Sequence, residues 1–178
     1  MPLPLRVRYS KIRELRDSLL EKYEVQRPAV PLTRIVEGEG LHIEKQHFEQ
    51  DWSGFLLRGP SRSIVGVNKN HSISRQRFTI AHELGHFLLH DGEALHVDKS
   101  FRVNFRDAAA GLGTAVEEIE SNTFAACLLM PEQFLLNDIR GEHLDINDEA
   151  AVLDLAKRYQ VSQQAMTIRL MNLAQDRF

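Results

Sequence analysis

Arg77-Phe-Thr-Ile-Ala-His82-Glu83-Leu-Gly-His86-Phe-Leu-Leu-His90 is the most informative stretch of the chain. Ile80, Leu84, Phe87 and Leu88 recur at helical spacing, so a helix is expected from about Ser74 to His90, stopped by Asp91-Gly92. A spacing of four puts His82 and His86 one turn apart on one side of that helix. Two imidazoles so placed can share one metal ion. Glu83, next to His82, can reach the open coordination position where water sits. A carboxylate there takes a proton from the water and passes it to a leaving amine. The bland alternative is a surface helix with two incidental histidines. Context weighs against it, because these polar groups interrupt an apolar stretch at a cost. Gly85 inside the helix costs ~1 kcal/mol relative to Ala, which suits the close approach of another backbone element. His90 continues the spacing, but each step of four drifts ~40° around the helix. It is expected behind the ligands or on the surface.

A three-ligand site needs a donor from elsewhere. The second strong helix, expected from about Thr114 to Met130 and stopped by Pro131, reads Val116-Glu117-Glu118-Ile119-Glu120-Ser121-Asn122-Thr123-Phe124-Ala125-Ala126-Cys127-Leu128-Leu129-Met130. Acidic residues favour a helix N-terminus for dipole reasons alone. Periodicity does not choose among the three glutamates. Glu118 shares a face with Asn122, Ala125 and Leu129, and the small Ala125 would admit a close neighbour; Glu117 and Glu120 share a face with Phe124 and Leu128.

Outward from these two helices the pattern is plainer. Ile12, Leu15, Leu19 and Tyr23 mark a helix over 10–25, with Ser10 a plausible N-cap. A short helix is expected over 32–37. Leu41–Glu44, Gly54–Arg58 and Ser63–Asn68 read as three short strands, with Gly59-Pro60-Ser61 turning between the last two. Residues 91–113 read as a long loop. A further short helix is expected over 132–138. Two more, Asp148–Tyr159 and Ser162–Ala174, turn a corner at Val161-Ser162.

Composition narrows the function classes. The chain has 178 residues, 43% of them hydrophobic, and a net charge of −3. That is enough for a packed core, and it argues against nucleic acid as the main partner, which calls for a basic surplus. A lone Cys127 allows no internal disulfide and reads as a core residue. The N-terminus lacks the apolar run of a signal peptide, and no stretch approaches the ~20 apolar residues of a membrane span. A cytoplasmic protein without a membrane partner is expected.

The pair R-F-T-I-A-H-E-L-G-H-F-L-L-H and E-x-E-S-N-T-F-A-A-C-L-L-M-P resembles the ImmA/IrrE metallopeptidase family over about Tyr9 to Pro131, with Ile64-Val-Gly-Val-Asn68 before the first motif. The resemblance implies an α+β, mostly helical fold. Its core, residues 1–131, would be a gluzincin-like (thermolysin-like) HExxH metallopeptidase with a small sheet. Residues 132–178 would be a C-terminal helix-turn-helix-like hairpin. In the family pattern the glutamate ligand lies four residues before an Asn or Asp that braces a ligand histidine. Here that implies a metal on His82, His86 and Glu118, with Asn122 as brace and Glu83 as general base. Glu120 is the fallback ligand. Ser121 stands where the family usually has Ala. Zinc is the expected ion, although ligand type does not separate it from manganese.

The family also implies an intracellular endopeptidase that cuts a helix-turn-helix repressor and so releases stress-response or mobile-element genes. The chain looks like a short ImmA-type member without a sensor domain. Ile64–Asn68 is expected either as a sheet edge that pairs with substrate backbone or as a core strand. The C-terminal pair itself resembles a helix-turn-helix. Residues 148–178 nevertheless balance Lys157, Arg158, Arg169 and Arg177 against Asp148, Glu149, Asp154 and Asp176. Direct DNA binding is therefore disfavoured, and packing on the core or docking a repressor is preferred. Two rivals are a DNA-binding regulator with a structural metal and a protease-like protein that binds its repressor without cutting. His90, His96, His143 and Tyr159 are candidates for stabilising the oxyanion.

Overall fold

The computed structural model describes residues 6–48, 52–91, 94–98, 112–142 and 148–175. Among them the order is α1 (Tyr9–Lys22), α2 (Leu32–Gly38), β1 (Leu41–Gln46), β2 (Gly54–Leu57), β3 (Ser63–Asn68), α3 (Ile73–Leu89), β4 (Leu95–Asp98), α4 (Leu112–Leu129), α5 (Glu132–Glu142), α6 (Glu149–Tyr159) and α7 (Gln163–Ala174). The protein is mostly helical with one small mixed sheet. No helix among the described residues is long and apolar enough to cross a membrane.

Three expectations about helix ends change. The N-cap of α1 is Arg8, and Ser10 lies inside the first turn. The metal-motif helix starts at Ile73, where the Ser72 hydroxyl accepts from the Arg75 amide at 3.3 Å and so satisfies one orphan donor. α5 runs longer than expected, to Glu142.

The sheet has four strands, not three, in the order β1-β3-β2-β4. β1 lies parallel to β3, while β2 runs antiparallel to both β3 and β4. The fourth strand falls within the span read as a loop; residues 92–93 and 99–111 of that span lie outside the described residues. β3 is therefore an interior strand, flanked on both sides, and the edge reading of Ile64–Asn68 is overturned. Val65 and Val67 are fully buried, as expected of a strand covered on its inner face. β4 is an outer strand among the described residues. Leu56 pairs with Val65 on one side and with His96 on the other, so these three side chains share the face that α3 covers.

A single apolar cluster joins the elements. It runs from Ile12 and Leu19 of α1 through Ile35 of α2, Val65 of β3, Leu84 of α3 and Phe124 and Leu128 of α4 to Leu135, Leu155 and Leu170 of the C-terminal helices. Cys127 is buried. Ser162 caps α7 by accepting from Ala165 N at 3.1 Å, after Gln160 turns the chain in the left-handed region at φ 56°. The Arg169 Nε of α7 donates to Met130 O at 3.2 Å, which occupies a carbonyl just past the end of α4. The Tyr159 hydroxyl, fully buried, donates to Asp138 at 2.7 Å, and burial followed by this carboxylate raises its pKa.

α3 and α4 pack closely against each other. A Cβ on Gly85 would lie 3.0 Å from Phe124 Cδ1 and 3.1 Å from Ser121 Cα. The absence of a side chain at position 85 suits this close approach, since even a Cβ there would make Phe124 or Ser121 give way slightly. Gly85→Val adds branched bulk against backbone, which outweighs any gain in helix propensity. It is expected to cost roughly 1–3 kcal/mol in urea denaturation; unchanged stability would show that the crossing is not a tight one.

Candidate metal centre

α3 supplies His82, Glu83 and His86, all buried, because its apolar face turns these positions toward α4 and the sheet. Across the crossing, α4 presents Glu118. Its Oε2 lies 3.5 Å from His82 Nε2, and its Oε1 lies 3.2 Å from His86 Nε2. The two Nε2 atoms are 3.0 Å apart. His96 enters from β4, with Nε2 3.5 Å from Glu118 Oε1 and its ring 4.1 Å from that of His86. His82, His86, His96 and Glu118 thus offer four donor atoms within 4.8 Å of one another, a group able to hold a metal ion. Glu118 is 43% exposed and His96 30%, so the group opens to solvent on their side.

The donor chemistry fits a divalent ion. His82 Nδ1 faces Asn122 Oδ1 at 2.8 Å, where the amide oxygen requires a proton on Nδ1. That leaves Nε2 as a lone pair aimed into the group. Burial first, then the charge of His86, pushes the His82 pKa down to about 3 against the opposing pull of Glu118. Burial, His96 and His90 likewise push His86 well down. Neutral imidazoles with converging lone pairs beside a carboxylate are what a borderline-soft cation needs.

Glu83 is fully buried against the start of β2. A Cβ on Gly54 would stand 3.8 Å from its Oε1 and 2.6 Å from the Gly66 carbonyl. The C-terminus of α3 is capped by two arginines. Arg58 Nη2 donates to His86 O at 2.7 Å and to His90 O at 3.1 Å, and Arg8 Nη2 donates to Leu89 O at 3.2 Å. A cation there also complements the helix dipole. Burial lowers the Arg58 pKa, outweighing the pull of Glu83, Asp91 and Glu117 in the other direction.

The residues singled out from sequence separate clearly. His82, His86, Glu118 and Asn122 come together. Glu120, the fallback ligand, does not join them: it is fully buried beside Arg8 and His90. His90 is buried between His86 and Glu120. Tyr159 is held by Asp138 of α5, and His143 lies outside the described residues. Of the four oxyanion candidates, His96 is in the group. Sequence reading missed its strand, although Leu95-His96-Val97-Asp98 alternates as a strand should. Arg8 and Arg58 carried no local signal, since their partners are main-chain carbonyls and a carboxylate far along the chain.

Helices packed on a small mixed sheet, with histidines and a carboxylate gathered at the crossing, are compatible with a metallopeptidase-type domain, and the family match supplies that class. The model of the peptidase M78 family, described as the IrrE N-terminal-like domain, matches residues 37–171, and the chain belongs to this family. The match begins within α2 and ends within α7. A search of curated proteins finds no match.

Arg58→Leu strips a charged donor from two carbonyls at the end of α3. It should lower unfolding stability by roughly 1–3 kcal/mol, read by chemical denaturation; no change would mean that water serves these carbonyls equally well.

Proposed function

We propose that the protein is a zinc-dependent endopeptidase, with the ion on His82, His86 and Glu118 and with Glu83 as the general base. The observation that carries this reading is the convergence of both α3 imidazoles on an α4 carboxylate, with Asn122 holding one imidazole in the ligating tautomer. A bound zinc ion would act as a Lewis acid, polarising the scissile carbonyl and bringing the pKa of water toward ~7. Glu83, on the same turn as His82 and shielded from bulk water, accepts a proton from the attacking water. It delivers that proton to the amide nitrogen as the C–N bond breaks. His96 stands on the exposed side of the group, where a substrate carbonyl would arrive. It serves there as a hydrogen-bond donor to the developing oxyanion rather than as a fourth ligand, because four protein donors would close the site to water. β4, outermost in the sheet among the described residues and carrying His96, replaces β3 as the strand on which an extended substrate would lie.

The wider biology rests on the family. The two-helix site is read as a gluzincin-like core over residues 1–131. Residues 132–178 are read as a helix-turn-helix-like hairpin that docks the substrate. A cytoplasmic helix-turn-helix repressor of a stress-response or mobile-element circuit is the proposed target. The balanced charge of 148–178 favours protein docking over DNA.

The decisive experiment incubates the zinc-loaded protein with the helix-turn-helix repressor encoded nearest to it, with and without a chelator. Chelator-sensitive cleavage at one bond supports the reading; binding without cleavage, or cleavage indifferent to chelator, defeats it. Glu83→Gln should keep zinc yet lose roughly 10²–10⁴-fold in rate, whereas His82→Ala should lose zinc. His96→Ala distinguishes its two roles. Retained zinc affinity with a rate lower by about 10²–10³-fold is expected, and a large loss of zinc would make it a ligand instead.

A further inference from the structure

Behind His86, on the side away from Glu118, lies a buried chain of polar groups that ends on a residue outside the matched family span. Arg8, just before α1, surrounds Glu120. Its backbone N–H donates to Oε1 at 2.7 Å, its Nε to Oε1 at 2.9 Å and to Oε2 at 3.2 Å, and its Nη2 to Oε2 at 2.5 Å. On its other side Glu120 Oε2 lies 2.9 Å from His90 Nε2, and His90 Nδ1 lies 3.3 Å from His86 Nδ1. The Glu120 and His90 side chains are 0% and 1% exposed, so solvent does not take over these contacts.

Proton positions follow from the donor inventory. Arg8 turns its backbone N–H, Nε and Nη2 donors onto the two Glu120 oxygens, so the carboxylate beside this guanidinium only accepts. The proton between it and His90 must then sit on His90 Nε2. The two Nδ1 atoms face each other at 3.3 Å, so one donates and the other accepts; with the His90 proton on Nε2, the proton between the rings sits on His86 Nδ1. His86 Nε2 is left as a lone pair, directed at Glu118.

We propose that Arg8, Glu120 and His90 form a positioning chain that sets the tautomer of His86 and so presents its Nε2 to a divalent metal. Asn122 does the same for His82 in one step; His86 is served in three. The inference rests on the metal reading above and adds to it that the N-terminal segment is part of the metal centre's support.

Glu120→Gln gives a test that changes polarity without changing shape. An amide oxygen at the Oε1 place keeps the Arg8 backbone N–H and Nε donors, and the NH2 then falls at the Oε2 place, where it faces His90 and displaces Arg8 Nη2. His90 Nε2 then becomes an acceptor, its proton moves to Nδ1, and the His86 proton is driven to Nε2, where it opposes ligation. Zinc affinity, measured against a chromophoric chelator, should fall about 10–100-fold, and the visible ligand-field bands of the cobalt-loaded protein should change. A second pair of variants leaves the Arg8–Glu120 ion pair intact, so it answers the question even where Glu120→Gln folds poorly. His90→Asn places an amide oxygen where Nδ1 stood and keeps the acceptor for His86. His90→Gln reaches Glu120 but has no acceptor at that place. His90→Asn should bind zinc about tenfold more tightly than His90→Gln. Equal affinities in that pair, or a folded Glu120→Gln that matches the parent in affinity and cobalt spectrum, would overturn the chain while leaving the metal site standing. A parent protein that takes up no zinc would refute the metal reading itself.

Discussion

The structure turns on the crossing of α3 over α4 at Gly85. Neither helix has a complete donor set: α3 brings two imidazoles and a carboxylate, and α4 brings Glu118. They share one small volume at a close crossing where Gly85 offers no side chain to Phe124 and Ser121. The same contact buries His82 and His86, which strips water from their rings and keeps them neutral. Packing and site chemistry are therefore one constraint, since a wider crossing would separate the donors and hydrate them together.

Around that crossing, two glutamates two residues apart on α4 have opposite surroundings. Glu118 is partly exposed and meets three imidazole nitrogens. Glu120 is sealed from solvent and meets a guanidinium, a backbone N–H and His90. A buried carboxylate is tolerable only with such partners. The polar layer between the helices is accordingly closed around Glu120 and His90 and open around Glu118 and His96.

The sheet and the C-terminal helices support this layer from either side. β2 brings Gly54 against Thr79 and Glu83, and β4 carries His96 over His86 on the face shared with Leu56 and Val65. Arg169 links α7 to the carbonyl of Met130 beyond α4, and Leu155, Met166 and Leu170 lie in the same apolar cluster as Leu84 and Phe124. The ends of both site helices are thus held by arginines from distant parts of the chain. Such long-range caps restrict how the two helices shift relative to each other.

What the sequence determined by itself was whatever repeats locally along a helix. The apolar spacing of Ile80, Leu84 and Leu88 marked α3, the interval of four placed His82 and His86 together, and the cost of Gly85 announced a close neighbour. Glu118 was different, because helical periodicity left it level with Glu117 and Glu120 and only the resemblance to a family singled it out. The fourth strand, the interior place of β3, the arrival of His96, and the roles of Arg8, Arg58 and Glu120 were decided by tertiary structure alone. Their partners lie tens of residues away or are main-chain carbonyls, and a carboxylate or guanidinium looks the same in sequence whether it meets water, a metal or another charge. Only the packed arrangement selects among those environments, because burial and proximity set the energy of a charge.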